Sequence, residues 1–472
     1  MARSLPSRLL EITLIDGLPR VRLVRGQDLA ADSRYATLSY CWGGLNPIML
    51  QHENIEEFSI AVPWDLLPQT FEDTLWLTAR LDIRYLWIDA LCIIQDDTLD
   101  WSTEAAHMMT VYANSAVNIM ADGSRNSEEG LFRPRKLETE RAFHWRSRVS
   151  EGSKQWLGYT NFFGEQVSGS PLNQRAWVVQ ERFLAPRALH FASNGCTFWE
   201  CAALTASEVL PMDMDLELTG HQSPKRLSGA TASRWADARV PREIYGVWVR
   251  FADIYSGSNL SIEADRSIAI SGLAQVIRQH LGLQPTDYLA GLWRPRFVQD
   301  LMWQRWRYIG EISDRGPTNS CPSWSWLSTV GGVNSGWYEY GGRALEGDLV
   351  QTVTELLDAG VTTRGSEAFG FILDGHATLR GPLCKAVLTP APGPYQYGAH
   401  KLVDHSITLD GRTLAQQDAF EFELDSNTEK GLGQVFGTDI YLLLASIGYD
   451  RNIPVASASF QEKTYSVTGI PW

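Results

Sequence analysis

The rhythm of apolar and polar positions changes three times along the chain. From 8 to 30 the runs LLEITLIDG and VRLVRG are strand-like, with a Gly-Leu-Pro turn between them; the spacing predicts a β-rich start. From 34 to 131 the pattern alternates. YATLSY (35–40) is β-prone and ends in Cys41-Trp42-Gly43-Gly44. Paired glycines directly after a strand allow a tight turn with exposed backbone N–H groups. In LPQTFEDTLWLTARLDI, Phe71, Leu75 and Ala79 recur at helical period, and Thr70 and Asp73 stand at capping-box spacing. YLWIDALCII (85–94) is apolar except for Asp89, the pattern of a strand buried on both faces. Asp100 is placed to cap a helix through WSTEAAHMMTVYANS, and VNIMAD predicts another strand. Strand and helix in alternation predict an α/β domain in which 35–40, 85–94 and 117–121 are parallel strands of one sheet.

The third rhythm is less regular. Residues 123–170 predict loop and irregular insertion. RAWVVQERFL (175–184) has helical spacing and stops before Pro186. RALHF and CTFWEC flank Asn194-Gly195, a strong hairpin signal. Residues 202–240, acidic and then Ser/Arg-rich, predict a surface connection. Three helical runs follow between 241 and 309, the last being DYLAGLWRPRFVQDLMWQRW. Beyond CPSWSW, in which Trp324 and Trp326 alternate as on a strand, the chain turns Gly-rich and strand-like. The expected organisation is therefore an α/β domain at 1–201 with its β extension and hairpin, a mainly helical region at 202–335, and a β-rich domain at 336–472.

Composition narrows the function. The 472 residues carry a net charge of −14 and no compensating basic run, which argues against nucleic acid as a partner. No apolar stretch approaches the roughly 20 residues of a membrane helix, and the first residues make a poor signal peptide. A cytoplasmic chain is expected. The six cysteines form no CxxC pair; no metal site is expected, and no disulfide, with Cys196 and Cys201 the pair most open to one. The 18 tryptophans predict large aromatic cores and stacking surfaces for a ring-bearing ligand.

YATLSYCWGG, the run from LPQTFEDT to SAVNIMA and RAWVVQERFLAPRALHFASNGCTFWEC together resemble the fungal heterokaryon incompatibility (HET) domain family. YSGSNLSIEADRSIAISGLA, DYLAGLWR and PSWSW resemble the region that commonly follows such a domain. The likeness spans roughly 35–330. It implies a link to self/non-self recognition and cell death, and a distant similarity to TIR domains. The fold expected is thus an α/β core with a TIR- or flavodoxin-like parallel sheet. Some TIR domains cleave NAD⁺, so NAD⁺ is implied as a substrate, with no resident cofactor. Trp101-Ser-Thr-Glu104 resembles the tryptophan and helix-borne glutamate of TIR enzymes, with a spacing one residue shorter than in many of them.

Ligands of doubly wound sheets bind beyond the carboxyl ends of the strands. That rim would group Tyr40, Cys41, Trp42, Gly43 and Gly44 with Asp89, Cys92, Gln95, Asp96, Asp97 and Glu104. Glu104, Asp89, Cys41 and His107 are the candidate catalytic groups; Tyr40, Trp42, Gly43, Gly44, Asp96 and Trp101 are the candidate binding groups. Each also has a structural reading. Glu104 suits a helix first turn. Asp89 could pair with Arg84, Arg175 or Arg182, since an isolated buried carboxylate is costly. Cys41 and His107 could be core or surface residues. Glu181 could be a second carboxylate at the rim or a helix-surface partner of Arg175 or Arg182. Three functions compete: a nucleotide glycohydrolase, a stand-alone HET-like enzyme of secondary metabolism using acid/base or cysteine chemistry, and a non-catalytic recognition module that self-associates as a homo-oligomer.

Overall fold

The computed structural model describes residues 4–44, 47–135, 163–209 and 240–301, with shorter pieces between and beyond. The chain divides into two compact units, Met1–Val240 and Pro241–Trp472.

The first unit is built on an eight-stranded mixed sheet. Its strands are β1 (Arg8–Ile15), β2 (Leu18–Arg25), β3 (Tyr35–Ser39), β4 (Tyr85–Trp87), β5 (Val117–Met120), β6 (Arg187–Phe191), β7 (Thr197–Cys201) and β8 (Thr205–Ser207). The spatial order is β8-β7-β6-β5-β3-β4-β1-β2. β3 is parallel to both β4 and β5, and β5 is parallel to β6. In chain order the four parallel strands therefore lie 2-1-3-4, the order of flavodoxin-like sheets. Two hairpins flank them, the second of them the one predicted. β1 and β2 pair through a turn in which Asp16 and Gly17 both have positive φ, the requirement of a tight hairpin connection. β6 and β7 pair around Asn194 and Gly195.

Every residue of β3 and β5 is buried, as expected of strands covered on both faces. The helices that cover them are α1 (Ile55–Ile60), α2 (Gln69–Arg80), α3 (Asp89–Cys92), α4 (Thr98–Asn114) and α5 (Ala176–Leu184). Phe71 and Leu75 of α2, Trp87 of β4 and Tyr112 of α4 share one core, with Trp87 and Tyr112 edge-to-face at 5.7 Å. Such aromatic pairs contribute about 1 kcal/mol beyond the area they bury.

Several local expectations are corrected. The strand expected over 85–94 ends at Trp87, and α3 begins at Asp89. A carboxylate cannot continue into a sheet interior without a partner; by turning there, the chain gives Asp89 the Ala90 N–H at 2.7 Å and the Trp42 indole N–H at 2.9 Å. Asp100 does not cap α4. Asp97 does, accepting from the N–H groups of Leu99 and Asp100, while Asp100 accepts from Arg8 and from the Ile94 N–H. Thr70 and Asp73 form no capping box; the Thr70 hydroxyl accepts from the Gly130 N–H and Asp73 from the Leu131 N–H, clasping the loop after β5.

The second unit opens with helices Val240–Ser256 and Ser271–Leu281. The long helix expected from 287 is replaced by the short pair Tyr288–Leu289 and Leu292–Trp293, a helical turn at Phe297–Asp300 and a strand at Trp303–Arg305. Ala290 and Gly291 have positive φ, and a Cβ on Gly291 would lie 2.8 Å from the Trp326 indole nitrogen, so the chain must turn there. Trp326 itself begins a helical turn over Trp326–Ser328, not a strand. The β-rich C-terminal part has an antiparallel sheet in which Ile372–Pro390 pairs with Glu355–Thr363, Gln461–Thr468, Asp439–Leu443 and His405–Leu409.

Candidate functional site

In a 2-1-3-4 sheet the crossovers leave the first and third parallel strands in opposite directions, and a crevice opens beyond their carboxyl ends. Here those strands are β3 and β5. The segment Tyr40-Cys41-Trp42-Gly43-Gly44 leaves β3, and Asp122-Gly123-Ser124-Arg125-Asn126 follows β5. The two loops touch. A Cβ on Gly43 would lie 2.2 Å from the Asn126 Cβ and 2.8 Å from the Arg125 carbonyl oxygen. Gly43 also has φ 69°, in the left-handed region. Gly44 has φ 71° and open space around it. Gly43→Ala therefore carries both strain and collision and should cost about 2 kcal/mol or more in urea denaturation. Gly44→Ala should cost only the conformational part, about 1 kcal/mol.

Asp89 reaches the crevice from the end of β4. It is half-buried, and burial raises its carboxyl above the usual range, opposed by the Trp42 indole, Arg175 and the Ala90 N–H. Of the three arginines considered as its partner, Arg84 pairs with Glu11 and Arg182 with Glu200; Arg175 is the one whose charge acts on Asp89. Trp42 lies nearly parallel to Tyr40, with 12° between the rings and centroids 6.3 Å apart. The Tyr40 ring meets Phe71 edge-on at 5.0 Å, and burial and the neighbouring Asp89 keep its hydroxyl protonated. That hydroxyl faces Asp89, and hydrogen bonding between the two raises the hydroxyl while lowering the carboxyl.

Glu181, on α5, is the second carboxylate. It is buried, and desolvation pushes its pKa up to about 7, opposed by hydrogen bonding to Ser39 and by Arg175, with Asp89 adding to the rise. Asn118 of β5 orders this corner. Its side chain bonds the hydroxyls of Thr37 and Ser39 across to β3 and donates to the Glu181 carbonyl at 3.3 Å. A raised carboxyl favours the folded state while it is protonated. Its stabilisation is full below about pH 4.5 and is lost as pH rises through about 7. Glu181→Gln, which fixes the neutral form, should flatten the fall in melting temperature between pH 5 and 7.5, read by calorimetry.

Trp101, Glu104 and His107 lie on α4, and Asp96 just before it. Glu104 is buried with one oxygen 3.8 Å from Arg8 of β1 and the other without a hydrogen bond. His107 is exposed. Asp96 is exposed and accepts from the His52 N–H at 3.1 Å. Trp101 packs edge-on against Trp177 of α5, 6.4 Å away. Cys41 is buried among Met120, Leu172, Val178 and Ala188, and burial pushes its thiol up, away from the thiolate a nucleophile needs. Cys92 is pushed up to about 12. Cys41, Cys92, Cys196, Cys201 and Cys321 are free thiols; the Cys384 side chain lies outside the described residues. Among the described residues no group of three His, Cys, Asp or Glu is placed to hold a metal ion, and no helix is long and apolar enough to cross a membrane.

Sequence reasoning missed a buried ring behind the crevice. Asp122 accepts from Ser170 and Asn173 and bonds His190 Nδ1 at 2.8 Å. His190 Nε2 is 3.5 Å from Glu200, Glu200 pairs with Arg182 at 2.8 Å, and Arg182 returns to Asn173 at 3.0 Å. Five polar residues from four separate segments close on one another. The signal was present in part: Asp122, His190 and Glu200 are each polar positions in otherwise apolar β-runs.

The architecture defines the class: an α/β domain whose mixed sheet has a parallel core, with polar side chains gathered where the strand order reverses. Residues 35–181 match the family model of the heterokaryon incompatibility protein (HET). The chain carries a HET domain, and the matched segment runs from the first residue of β3 to Glu181. No curated protein and no solved structure matches the chain.

Proposed function

We propose that the crevice between β3 and β5 hydrolyses the N-glycosidic bond of an NAD-type nucleotide. The observation that carries this reading is the proximity of two desolvated carboxylates, Asp89 and Glu181, which act on one another and share Arg175 at the switch point of the sheet. Breaking an N-glycosidic bond builds positive charge on the ribose, and a preorganised carboxylate stabilises that charge. Asp89, held by the Trp42 indole and the Ala90 N–H, fills this role. Glu181, whose pKa of about 7 suits proton transfer at neutral pH, takes the proton of the attacking water. Nicotinamide departs with the electron pair of the broken bond and becomes neutral. Water oxygen bonds to the ribose carbon, and one proton is released. Trp42 supplies an aromatic face for a ring of the ligand.

The chemistry needs no cysteine nucleophile, which accords with the buried Cys41 thiol. The test is incubation of the purified protein with NAD⁺, with nicotinamide and ADP-ribose read by chromatography. Equal amounts of both products, with one proton released for each, are expected. An inert protein that turns over another small molecule would overturn this reading in favour of an enzyme of different chemistry.

A further inference from the structure

The second unit has a small cavity of its own. It measures about 30 Å³, room for about two water molecules. Its lining includes Trp248 and Val249 of the helix Val240–Ser256, Gly291, Asp300, Trp303 and Trp326. The three indoles are fixed by their own N–H groups. Trp248 and Trp326 both donate to the Gly291 carbonyl oxygen at 3.0 Å, and Trp303 donates to the Trp324 carbonyl oxygen at 3.0 Å. Their donors are spent on backbone, so what they offer a ligand is π-surface. Asp300 is the one charged side chain in the lining. Its Oδ2 accepts from the Trp293 N–H at 3.0 Å. Its Oδ1 stands 3.9 Å from Arg296 Nε, too far for a hydrogen bond, and the Arg296 guanidinium lies over the Tyr245 ring. Burial pushes the Asp300 carboxyl up to about 7, a rise that Arg296 and the Trp293 N–H oppose only in part.

We propose that this cavity binds the ammonium head of a primary amine, with Asp300 accepting its N–H donors and the indoles of Trp248, Trp303 and Trp326 surrounding its charge. The donor and acceptor inventory decides the ligand's sign. The lining side chains supply one acceptor group and three aromatic rings, but no uncommitted donor, so an anion or a carbonyl finds no side-chain partner. A cation gains from both features: the ring quadrupoles and the carboxylate attract it, and a site with little water screens that attraction weakly. Size decides the head group. A terminal CH₂–NH₃⁺ takes about the space of two waters, whereas a nitrogen bearing three methyl groups exceeds it. The bound charge also offsets the cost of burying Asp300. Val249, Asp300 and Trp303 are half-buried, so the mouth lies among them and the alkyl chain of the amine leaves past them. The site stands independently of any reading of the crevice in the first unit.

The test titrates n-butylammonium, n-butanol and butyltrimethylammonium into the full chain, with affinities read from the ligand NMR signals. n-Butylammonium should saturate and bind about tenfold or more tightly than either of the others, the scale of one charge-assisted hydrogen bond. Asp300→Asn keeps an acceptor for the Trp293 N–H and should lose that preference. In the wild type the affinity should rise from about pH 5.5 to about pH 8.5 as Asp300 ionises near 7, the amine staying charged to about pH 10. In Asp300→Asn the profile should be flat. Trp303→Leu should weaken n-butylammonium several-fold and leave its pH profile in place. A cavity that merely hydrates Asp300 would show no saturable binding of n-butylammonium, and that result overturns the proposal. Binding that Asp300→Asn leaves intact overturns it as well, as does binding that Asp89→Asn abolishes and Asp300→Asn does not, which would place the amine in the first unit. Should Asp300→Asn fail to fold, by its melting curve, the other two readouts decide: a wild-type affinity flat with pH, or untouched by Trp303→Leu, refutes the site. Nα-Acetyl-lysine amide separates the sources of the head group: affinity equal to that of n-butylammonium sustains the site as one for a lysine side chain, and weaker binding sustains it as one for a free small amine.

Discussion

Asp89→Asn lowers nicotinamide release from NAD⁺ by about 10²-fold or more, with the loss in kcat rather than KM. The substitution keeps the volume and the acceptor for the Trp42 indole while removing the charge that opposes the ribose cation. Removing one preorganised electrostatic contact in other active sites costs on this order. Glu181→Gln gives a second, separable signature. In the wild type kcat/KM rises with pH through about 7, because Glu181 must be ionised to accept the proton of water. In Glu181→Gln that limb disappears and the residual rate is flat. Glu104→Gln is the control, since Glu104 faces Arg8 of β1; a loss there equal to that of Asp89→Asn would return the catalytic role to α4. Activity of Asp89→Asn within threefold of wild type, with an unchanged melting temperature, would remove Asp89 from the mechanism.

How much of this was legible in the sequence follows from the range of the interactions involved. The parallel strands and the second hairpin rest on local patterns: alternation, β-branched runs and Asn194-Gly195. Such signals span fewer than ten residues and survive folding. What failed locally did so because a distant group competed. Thr70 and Asp73 have capping spacing, but the loop at Gly130 and Leu131 takes both side chains. Asp89 was a visible anomaly in an apolar run, yet nothing local says that the strand must end there. The reason is Trp42, 47 positions away.

The site shows the same division. Tyr40, Trp42 and Asp89 could be grouped from strand ends alone. Glu181 and Arg175 join them through the strand order, because β5 lies beside β3 and brings α5 over the end of β3. Glu104 was favoured by its neighbourhood to a tryptophan and by its place early in a helix. In the fold Arg8 of β1 engages both Asp100 and Glu104. Strand order is a property of the whole domain, so residues chosen by local spacing and residues gathered by topology need not coincide.

Arg182→Met should be the most destabilising single change in the first unit, costing about 3–5 kcal/mol. Met matches the aliphatic stem but lacks the guanidinium that lies over Phe163 and Phe183, so the loss measures the ion pair together with those ring contacts. The substitution leaves the Glu200 carboxylate fully buried without its arginine, with His190 Nε2 3.5 Å away. It also frees Asn173, which otherwise bridges Arg182 to Asp122. Asp122 begins the loop that abuts Gly43, so the ring supports one wall of the crevice from behind. The double variant Arg182→Met/Glu200→Gln separates the two contributions. Removing the Glu200 charge as well should recover at least about 1 kcal/mol relative to the sum of the single changes, since the residues are in direct contact. Denaturant unfolding of the four proteins gives the cycle. Additive costs would mean that Arg182 and Glu200 are not coupled, and a cost below about 1 kcal/mol for Arg182→Met would mean that the ring does not hold the domain together.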